Sequence, residues 1–557
     1  MYVIGIDVGG TNTDAALLFG DQVRAVAKVP TNHQDLFQST TQALREILAH
    51  YHRSDPIRLH LSTTLSTNVI VEGRGTPTVA VVVPGPGVNL GSLAFPFPIY
   101  ELDGYIDHRG REVSPLRMEQ VASLKDVLQE MQGYALAVVG KFSGRNPSQE
   151  QALSEELAKW HRGVISLGSR LSGRANFPRR IVTTCLNASV AKHHLDFVDM
   201  LQTAITDPIS ELLLLKADGG TMTLHDSVQR PIETILSGPA ASIMGAQALT
   251  QCKAKNYLIV DIGGTTTDLA AVVEGEVLFE RDGATIAGYK TLVPAVLTRS
   301  IGLGGDSELA YQKGTGIVIG PKRAGNPLCL GGDRLTTTDA AVALGLAKLG
   351  SEEAARQGFL RWGQALGLQW DVLAQQVIEA FTTRLVQAVE SFYHELETMP
   401  LYTVREVLHP PELKPGAVVG LGAPAPVFVP ALGEALGLPW EVVPFSSGAN
   451  AIGAASARAT VGITLQADTE LGIVTIPEMG YQGEIHRPLF FDLAKARQLA
   501  EEKTREYARS LGYDGSSEIY VVEEESFQMV RGFRTVGQTH MVRAQLRPEA
   551  RRIKGES

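Results

Sequence analysis

Cysteine is scarce in this sequence, and the cysteines that are present form no pattern. The 557 residues include three of them, Cys185, Cys252 and Cys329, which lie far apart and make no C-x-x-C pair. An odd, scattered set argues against a disulfide framework and against a zinc or iron–sulfur site. We therefore expect the protein to work in a reducing cytoplasm.

Long apolar runs and long basic runs are also missing. Runs such as TVAVVV from Thr78 and ELLLLK from Glu211 have the length of a strand, well below the roughly 20 residues of a membrane span. Met1 and Tyr2 lead directly into a strand-like segment, so we expect no signal peptide. The formal net charge of −10 is spread along the chain, which argues against nucleic acid or an anionic membrane as a partner.

Two common nucleotide and metal motifs do not occur. The nearest approach to a P-loop, GSRLSGRA from Gly168, has Arg174 and Ala175 where the motif needs Lys and Ser or Thr. There is no H-E-x-x-H segment, and KHHLD at Lys192 places its adjacent histidines on different faces of a helix. The chemistry must therefore be sought elsewhere in the sequence.

One phrase occurs twice, and it is the strongest feature of the sequence. IGIDVGGTNTD begins at Ile4, and LIVDIGGTTTD begins at Leu258, so that Asp7 aligns with Asp261 and Asp14 with Asp268. Each copy continues with an apolar run, a turn glycine and a second alternating stretch, a pattern that predicts an antiparallel meander of three strands. The period is that of a domain rather than of a solenoid repeat.

The repeated phrase has the chemistry of a phosphate site. Glycines allow a close approach of the backbone to a bulky anion, and consecutive N–H groups form an anion-binding concavity. Two such hairpins facing each other across a cleft could hold a polyphosphate from both sides. The carboxylates of Asp7 and Asp261 could then hold Mg²⁺ through water, because magnesium prefers oxygen ligands and keeps part of its hydration shell. A single D-x-G-G-T could equally be an ordinary tight turn, but two copies in the same context favour function.

A third segment belongs with the two hairpins. VVGLGAPAPVFVP, from Val418 to Pro430, predicts a buried strand that enters a Gly-Ala-Pro turn and then a helix. A nucleoside could lie against such a turn, although an ordinary strand-to-helix connection has the same pattern. Two phosphate hairpins followed by this turn resemble the superfamily of actin, sugar kinases and heat-shock chaperones.

Further segments narrow the resemblance to the hydantoinase A and oxoprolinase family. They are HLSTTLSTNVIVEGRGTPT from His60, ETILSGPAASIMGA from Glu233, VDIGGTTTDLA from Val260, IGLGGDSELA from Ile301 and IVIGPKRAGNPLCLGGDRLTTTDAAVALG from Ile317. Together they cover most of the chain to about Thr460. Asp306 departs from the family pattern, because longer members usually have a small residue after this Gly-Gly.

The resemblance implies an ATP-dependent enzyme that phosphorylates a carbonyl or carboxylate oxygen of a small molecule, typically to open a lactam or cyclic imide. It also implies Mg²⁺ and a possible partner of the B-type hydantoinase subunit. Asp7 and Asp261 would be the catalytic and metal-binding residues. Nucleotide binding would fall to Gly9, Gly10, Thr11, Asn12, Thr13, Gly263, Gly264, Thr265, Thr266, Thr267, Gly304, Gly305, Asp306, Gly422 and Ala423, and substrate binding to Thr63, Thr64 and Asn68.

The fold expected from this resemblance is α/β, with two actin-like (ribonuclease H-like) ATPase domains around a nucleotide cleft. The expected boundaries are 1–180 and 181–460 for these domains and 461–557 for a small C-terminal α/β region, a division consistent with the length of the chain. Three alternatives stay open: a carboxylase subunit that activates a ketone or bicarbonate, a small-molecule kinase, and an ATP-driven regulator of another protein. Homo-oligomerisation is possible in each case.

Overall fold

The computed structural model describes residues 1–32, 34–51, 55–129, 133–205, 209–280, 282–314, 316–399, 412–513, 515 and 517–554. Up to residue 205 the elements are β1 (Tyr2–Val8), β2 (Asn12–Phe19), β3 (Gln22–Pro30), α1 (Leu36–Leu48), β4 (Ile57–Thr63), α2 (Leu65–Val71), β5 (Thr78–Val83), β6 (Ile99–Glu101), β7 (Tyr105–Ile106), β8 (Glu112–Ser114), α3 (Met118–Gln129), β9 (Ala135–Gly140), α4 (Ser148–Ala158), β10 (Ile165–Leu167), α5 (Gly168–Leu171) and α6 (Phe177–Ala204).

The middle of the chain contributes β11 (Ile209–Leu215), β12 (Thr221–Thr223), α7 (Leu224–Gln229), α8 (Ser237–Leu249), β13 (Tyr257–Ile262), β14 (Thr267–Val273), β15 (Glu276–Val277), β16 (Thr285–Ile286), β17 (Tyr289–Lys290), β18 (Thr298–Ile301), β19 (Ser307–Gln312), β20 (Gly316–Arg323), α9 (Thr337–Ala343), α10 (Glu352–Leu366) and α11 (Trp370–Thr398). The last part contributes β21 (Val418–Leu421), α12 (Ala425–Leu436), β22 (Trp440–Val442), α13 (Ala449–Ser456), β23 (Gly462–Asp468), β24 (Ile473–Ile476), β25 (Tyr481–Glu484), α14 (Leu493–Ser510), β26 (Ile519–Arg531) and β27 (Arg534–Leu546). No helix in the described ranges is both long and apolar enough to cross a membrane.

The two copies of the repeated phrase build the same kind of sheet. In the first sheet the order is β12-β11-β4-β1-β2-β3, and in the second it is β15-β14-β13-β21-β22 with β18 also paired to β14. Both begin with an antiparallel hairpin, in which Asp7 faces Asp14 in one copy and Asp261 faces Asp268 in the other. The predicted three-strand meanders are confirmed.

A parallel strand then joins each hairpin at the same place. β4 lies parallel to β1, and β21 lies parallel to β13. Because parallel strands end at the same edge of a sheet, the residues after β4 and β21 lie beside the hairpin turns. The two halves therefore have related topologies, and this relationship positions the site described below.

The expected boundary at residue 180 does not separate the two sheets. β11 follows that boundary, yet it pairs in parallel with β4 and so extends the first sheet, with Leu214 opposite Leu61. Leu214 of β11 is buried in the core cluster to which α6 contributes Phe197 and Leu201. The first sheet thus draws strands from both sides of residue 180.

The helical segment that leads up to β21 is divided into two helices, α10 and α11. α10 ends where Gly367 adopts a left-handed conformation with φ of 70°, and Leu368 N–H donates to the carbonyl of Gly363. This is the hydrogen-bond pattern of a glycine-terminated helix. The two helices can therefore pack against each other and against the second sheet.

Two further sheets complete the fold. A parallel sheet of order β10-β9-β5-β6 lies within residues 78–167, and an antiparallel sheet of order β25-β24-β23-β27-β26 is covered by α14 within residues 462–546. The second of these falls in the range predicted for the C-terminal α/β region. The two regions are in contact, since Arg109 in the loop between β7 and β8 forms an ion pair of 2.7 Å with Asp468 at the end of β23, and both side chains are buried.

Candidate active site

A cleft of about 660 Å³ opens between the two related sheets. Its floor is made by the ends of β1 and β13, and its sides by the segments that follow β4 and β21. Fourteen of the residues predicted from the sequence line it: Asp7, Gly9, Gly10, Thr11, Asn12, Thr63, Thr64, Asp261, Gly263, Gly264, Thr265, Thr266, Gly422 and Ala423. The structure thus brings both hairpins and the third glycine segment to one place.

The first hairpin turn places a buried carboxylate at the end of β1. Gly9 N–H donates to the carbonyl of Asn12 over 3.1 Å and closes the turn. Burial raises the pKa of Asp7 to about 7, although hydrogen bonds from Ser62 and Asn450 act in the opposite direction. Oδ1 of Asp7 is buried without a hydrogen-bond partner among the described residues. This oxygen therefore keeps an unused acceptor position at the floor of the cleft.

The second hairpin repeats this arrangement with different neighbours. Gly263 N–H donates to the carbonyl of Thr266 over 2.9 Å, and Ser242 Oγ donates to Oδ2 of Asp261 over 2.5 Å. Burial raises the pKa of Asp261 above its ordinary value, against the lowering effect of Ser242 and Asn450. Burial, together with the nearby charge of Asp261, raises the pKa of Asp268 to about 7. The cleft therefore disfavours negative charge on its own carboxyl groups.

Gly422 touches the second hairpin so closely that no side chain would fit. Its φ is 94°, and a Cβ atom built there would lie 2.1 Å from the carbonyl oxygen of Ile262 and 2.9 Å from Oδ1 of Asp261. Its N–H donates to the carbonyl of Ser446. Only glycine combines this backbone conformation with this approach, so the turn after β21 leaves bare backbone on the cleft wall.

On the opposite side, threonines rather than glycines follow the parallel strand. Ser237, at the start of α8, fixes this segment: its Oγ donates to the carbonyl of Thr63 over 3.0 Å and accepts from the N–H of the same residue over 3.2 Å. Thr64 and Thr67 lie one helical turn apart and both line the cleft. Asn68 does not, because its Nδ2 donates to Oγ1 of Thr64 over 3.3 Å within α2.

Thr13 and Thr267 also lie away from the cleft, although both were expected to bind phosphate. Each sits inside a strand of its hairpin and is fully buried. Thr13 Oγ1 is 2.9 Å from Oγ1 of Thr31, and Thr267 Oγ1 donates to the carbonyl of Leu303 over 2.6 Å. Because side chains alternate between the two faces of a strand, these hydroxyls point into the protein interior.

The segment Gly304–Asp306 lies behind the second hairpin rather than in the cleft. Gly305 N–H donates to the carbonyl of Gly263 over 2.9 Å, and Asp306 N–H donates to that of Gly264 over 2.7 Å. The carboxylate of Asp306 is paired with Arg323 at 2.9 Å. The segment therefore supports the hairpin backbone, and its residues do not line the space where a nucleotide could lie.

Several cleft residues were not singled out from the sequence. They are Asp14, Lys28, Thr67, Ser237, Gly238, Ser242, Asp268, Arg299, Ser446, Ser447 and Asn450, among others. Lys28 Nζ lies 2.9 Å from Oδ1 of Asp14 and places a positive charge at the edge of the first hairpin. Asp14 and Asp268 could have been found from the repeat itself, since both belong to the aligned phrase.

Asn450 connects the two hairpins. It lies near the start of α13, and its Nδ2 is 3.4 Å from Oδ2 of Asp7. It lines the same cleft as Asp261 and favours the ionised form of that carboxyl, which lowers the pKa of Asp261. One amide therefore acts on both aspartates, although the three residues are far apart in the sequence.

The donor set of the cleft fits a hydrated magnesium ion. Asp7 and Asp261 offer oxygen ligands, and one of these oxygens has no partner in the described structure. No group of three His, Cys, Asp or Glu residues among the described residues is arranged to hold a metal. A metal here would complete its coordination with water and with ligand oxygens, which is the usual mode of magnesium.

Comparison with known proteins shows which family has this arrangement. The family model described as hydantoinase/oxoprolinase matches residues 180–462, and the model of that family's N-terminal region matches residues 3–160. The chain is 28% identical to the gamma subunit of acetophenone carboxylase from Aromatoleum aromaticum over 400 residues, which are 61% of this chain and 53% of that protein. It is 25% identical to the alpha subunit of caprolactamase from Pseudomonas jessenii over 490 residues, or 80% of this chain and 68% of that protein.

Solved structures show the same fold. The ATP-dependent caprolactamase from Pseudomonas jessenii superposes with a TM-score of 0.71 at 19% identity, covering 100% of this chain and 89% of the other. Nucleotide-free acetone carboxylase gives 0.67 at 18% identity with the same coverage. The predicted α/β fold with two related halves is confirmed. The chain, which spans between half and about two thirds of such curated relatives in sequence, belongs to the hydantoinase/oxoprolinase family.

Proposed function

We propose that this protein is an ATP-dependent enzyme component that phosphorylates a carbonyl or carboxylate oxygen of a small molecule and so drives the opening of a lactam or cyclic imide ring. The observation that carries the proposal is the pair of Asp-x-Gly-Gly-Thr hairpins that line one cleft, with Asn450 hydrogen-bonded to Asp7 and stabilising the ionised form of Asp261. Membership of the family supports the reaction class. ATP use is supported by two structural neighbours that are described as ATP-dependent.

In this proposal the two hairpins bind the phosphates of ATP. Backbone N–H groups around Gly10 and Gly264 donate to phosphate oxygens, and the lack of side chains on these residues allows the close approach. The bare backbone at Gly422 and Ala423 receives the nucleoside. Positioning and charge neutralisation are the main requirements of phosphoryl transfer, and a cleft between two rigid sheets supplies the first of them.

Asp7 and Asp261 would hold Mg²⁺ at the phosphates through water. The ion supplies positive charge that offsets the charge developing on the transferred phosphoryl group. Burial raises the pKa of both carboxyl groups, so a cation beside them also stabilises the ionised form that binds it. Asn450 would help to hold the two carboxylates in position to bind this ion.

The first half of the cleft would bind the acceptor molecule. Thr64 and Thr67 place hydroxyl groups along this wall, where they can hydrogen-bond to a ring amide. An amide is a poor electrophile because its nitrogen donates electron density into the carbonyl group, and transfer of a phosphoryl group to the carbonyl oxygen opposes this effect. When the carbonyl oxygen attacks the γ-phosphorus and the bond to the bridging oxygen breaks, ADP leaves and the amide nitrogen gives up its proton. Water then adds to the activated carbon, and the C–N bond breaks as the protonated ring nitrogen leaves as an amine. A second water hydrolyses the resulting acyl phosphate to a carboxylate and phosphate.

A second subunit is part of the proposal. The relatives named above are subunits of larger enzymes, and this chain spans only part of their length. We therefore propose that a partner of the B-type hydantoinase subunit completes the reaction on the phosphorylated intermediate. Phosphorylation and its consequence would be divided between two polypeptides.

A carboxylase role is the second candidate. It is favoured by the similarity to acetophenone carboxylase and to the beta subunit of acetone carboxylase, the latter being 22% identical over 517 residues. The same cleft would then phosphorylate a ketone enolate or hydrogencarbonate. Both candidates share the phosphoryl transfer step and differ only in its acceptor.

One experiment tests the shared step and separates the candidates. The purified chain is incubated with Mg-ATP and, singly, with hydantoins, oxoproline, small lactams, ketones or hydrogencarbonate, while ADP and new phosphorus-31 signals are followed. ADP release stimulated by a cyclic amide supports the hydrolase, and release stimulated by a ketone or hydrogencarbonate supports the carboxylase. If the chain binds ATP but none of these small molecules stimulates ADP release, the result would contradict the proposal and favour an ATP-driven regulator. Asp261→Asn serves as the control for contaminating ATPases.

A further inference from the structure

The end of the cleft beside Thr64 and Thr67 is completed by residues of the second half. β18 pairs with β14 on the edge away from β13, with Ser300 opposite Asp268. α2, which contains Thr67, is in contact with β16. The segments around these strands contribute Glu280, Thr285, Thr298, Arg299 and Ser300 to the lining of the cleft. This region is the acceptor end of the cleft, since the proposed acceptor would lie here against the two threonines.

The cation at the acceptor end is already paired with two carboxylates. Nη1 of Arg299 donates to Oε1 of Glu280 over 2.8 Å and to the carbonyl of Thr298 over 2.8 Å. Its Nε donates to the carboxylate of Glu395 over 2.8 and 2.9 Å, and its Nη2 donates to the same carboxylate. Hydrogen bonding to Arg299 lowers the pKa of Glu395 below its ordinary value. This cluster therefore contains more negative than positive charge.

The other cation of the described cleft lining is also paired, and it lies away from the acceptor end. Nζ of Lys28 is 2.9 Å from Oδ1 of Asp14. β3, which carries Lys28, is separated from β4 by β2 and β1, whereas Thr64 directly follows β4. The phosphates of bound ATP would add further negative charge to the cleft. A negatively charged acceptor would therefore be repelled at the acceptor end, with no unpaired cation among the described lining residues to offset the repulsion.

Two apolar side chains lie at the same end of the cleft. Leu236 and Pro239, at the start of α8, are half-buried and line the cleft. Leu236 has a φ of 54°, and its N–H donates to Oγ1 of Thr67 over 3.0 Å. A left-handed conformation is uncommon for leucine, and residues strained in this way cluster at ligand-binding sites. An uncharged ring could contact both apolar side chains and hydrogen-bond to Thr64.

We propose that the ion pair of Glu280 and Arg299 makes the site selective for acceptors without negative charge, so that the substrate is an uncharged lactam, cyclic imide or ketone rather than a compound that bears a carboxylate. The inference rests on the proposed phosphoryl transfer and specifies its substrate class. Glu280 occupies a guanidinium that could otherwise pair with an acceptor carboxylate, and together with Glu395 it leaves the cluster with excess negative charge. Glu280 is thus a specificity-determining residue that takes no part in the transfer itself.

Matched acceptors that differ in charge test the proposal on the full chain. ADP release is measured with Mg-ATP and either 5-oxoproline or its uncharged amide, and with either pyruvate or acetone. We expect kcat/KM to be about tenfold or more higher for the uncharged member of a pair. Raising the salt concentration from about 0.05 M to about 0.5 M should narrow this difference, because salt screens charge repulsion but does not relieve a steric clash.

Substitutions assign the selectivity to Glu280. Glu280→Gln should reduce the preference for the uncharged acceptor about tenfold, because it leaves Arg299 balanced by a single carboxylate. Glu276→Gln removes the same charge from an exposed position on β15 that does not line the cleft, and it should leave the preference unchanged. Thermal unfolding checks that both variants are folded. Asp261→Asn should abolish release with every acceptor, which excludes contaminating enzymes.

Three results would overturn this inference alone. The first is that the wild type uses 5-oxoproline or pyruvate as well as the uncharged member of the pair. The second is that the preference does not respond to salt. The third is that Glu280→Gln and Glu276→Gln show the same preference. ADP release that none of the four compounds stimulates would instead contradict the proposed phosphoryl transfer, and the inference would fall with it.

Discussion

Nδ2 of Asn450 lies 3.4 Å from Oδ2 of Asp7, across 443 positions of sequence. The same amide favours the ionised form of Asp261 and lowers its pKa, so one group acts on the aspartates of both halves of the molecule. Partners of this kind hold metal-binding carboxylates in a productive position. Asn450 therefore has a role that neither hairpin can supply alone.

Replacing Asn450 should weaken metal-dependent turnover without unfolding the protein. For Asn450→Ala we expect activity to fall about 10- to 100-fold, the usual effect of losing an outer partner of a metal ligand. Raising the Mg²⁺ concentration should restore part of it, because the ligands themselves remain. Ser447→Ala, at a neighbouring position of the cleft, is the matched control. Equal losses in both variants, or no recovery with Mg²⁺, would argue against the orienting role.

Asp261→Asn should separate activity from stability. Turnover of ATP should fall by more than about 100-fold, because the group that holds the metal loses its charge. The melting temperature at pH 8 should be equal to or above that of the wild type, since burial disfavours the ionised carboxylate that the substitution removes. Kinetics and thermal unfolding on the same preparation give both numbers. Wild-type turnover in the variant would refute the site assignment.

The turn after β21 gives a prediction about backbone geometry. Gly422→Ala should destabilise the protein by more than about 3 kcal/mol and abolish nucleotide binding, because strain at a left-handed residue of about 1–2 kcal/mol adds to a collision with the carbonyl of Ile262. Gly437 has a φ of 65°, but a Cβ atom there would meet only open space. Gly437→Ala is thus a control that should cost only about 1–2 kcal/mol and keep nucleotide binding. Denaturant unfolding and titration with an ATP analogue measure the two effects.

Two buried histidines should make the fold sensitive to acid. Burial lowers the pKa of both His60 and His194 to about 4, from about 6.5 in an unfolded chain. The unfolded state then binds more protons between these pH values, so their stabilising contribution is complete above pH 6.5 and falls as the pH drops toward 4. Burial of Asp7 and Asp268 acts in the opposite direction over the same range, so the total stability does not isolate the effect.

The substitution His194→Gln isolates the contribution of His194 to the pH dependence of stability. His194→Gln stays neutral at every pH and can still hydrogen-bond to Ser227, whose Oγ lies 2.9 Å from Nε2 of the histidine. Between pH 7 and pH 4.5 the stability of the variant should rise relative to the wild type by about 2–3 kcal/mol. Denaturant unfolding at the two pH values measures the change. A constant difference between the two proteins would show that His194 titrates normally.

The sequence was sufficient for the parts of the site that are local. A strand, a Gly-Gly turn and a returning strand are encoded within a dozen residues, so the repeat was sufficient to predict both hairpins. The turn at Gly422 could also be predicted, because the residues on either side of it have the pattern of a strand and a helix. Thr13 was expected to bind phosphate but does not line the cleft, because the motif alone does not show at which residue β2 begins. Once β2 starts at Asn12, alternation directs Thr13 inward.

Lys28, Ser242 and Asn450 could not be found in this way. Each reaches the cleft from a separate element, β3, α8 or α13, whose position depends on contacts distant in sequence. For Ser242 and Asn450 the sequence did contain a signal, namely the small residues that allow α8 and α13 to lie close together. Such spacing becomes meaningful only when the partner helix is known.

The helices that carry Ser242 and Asn450 meet main chain against main chain. A Cβ atom at Gly453 of α13 would lie 2.0 Å from the carbonyl oxygen of Ala241 in α8, and one at Gly5 of β1 would lie 2.0 Å from that of Ala451. The span between the two aspartates is therefore set by the thickness of peptide backbones. Side chains elsewhere in the cleft can therefore change to suit a different acceptor molecule, while the distance between the two aspartates stays the same.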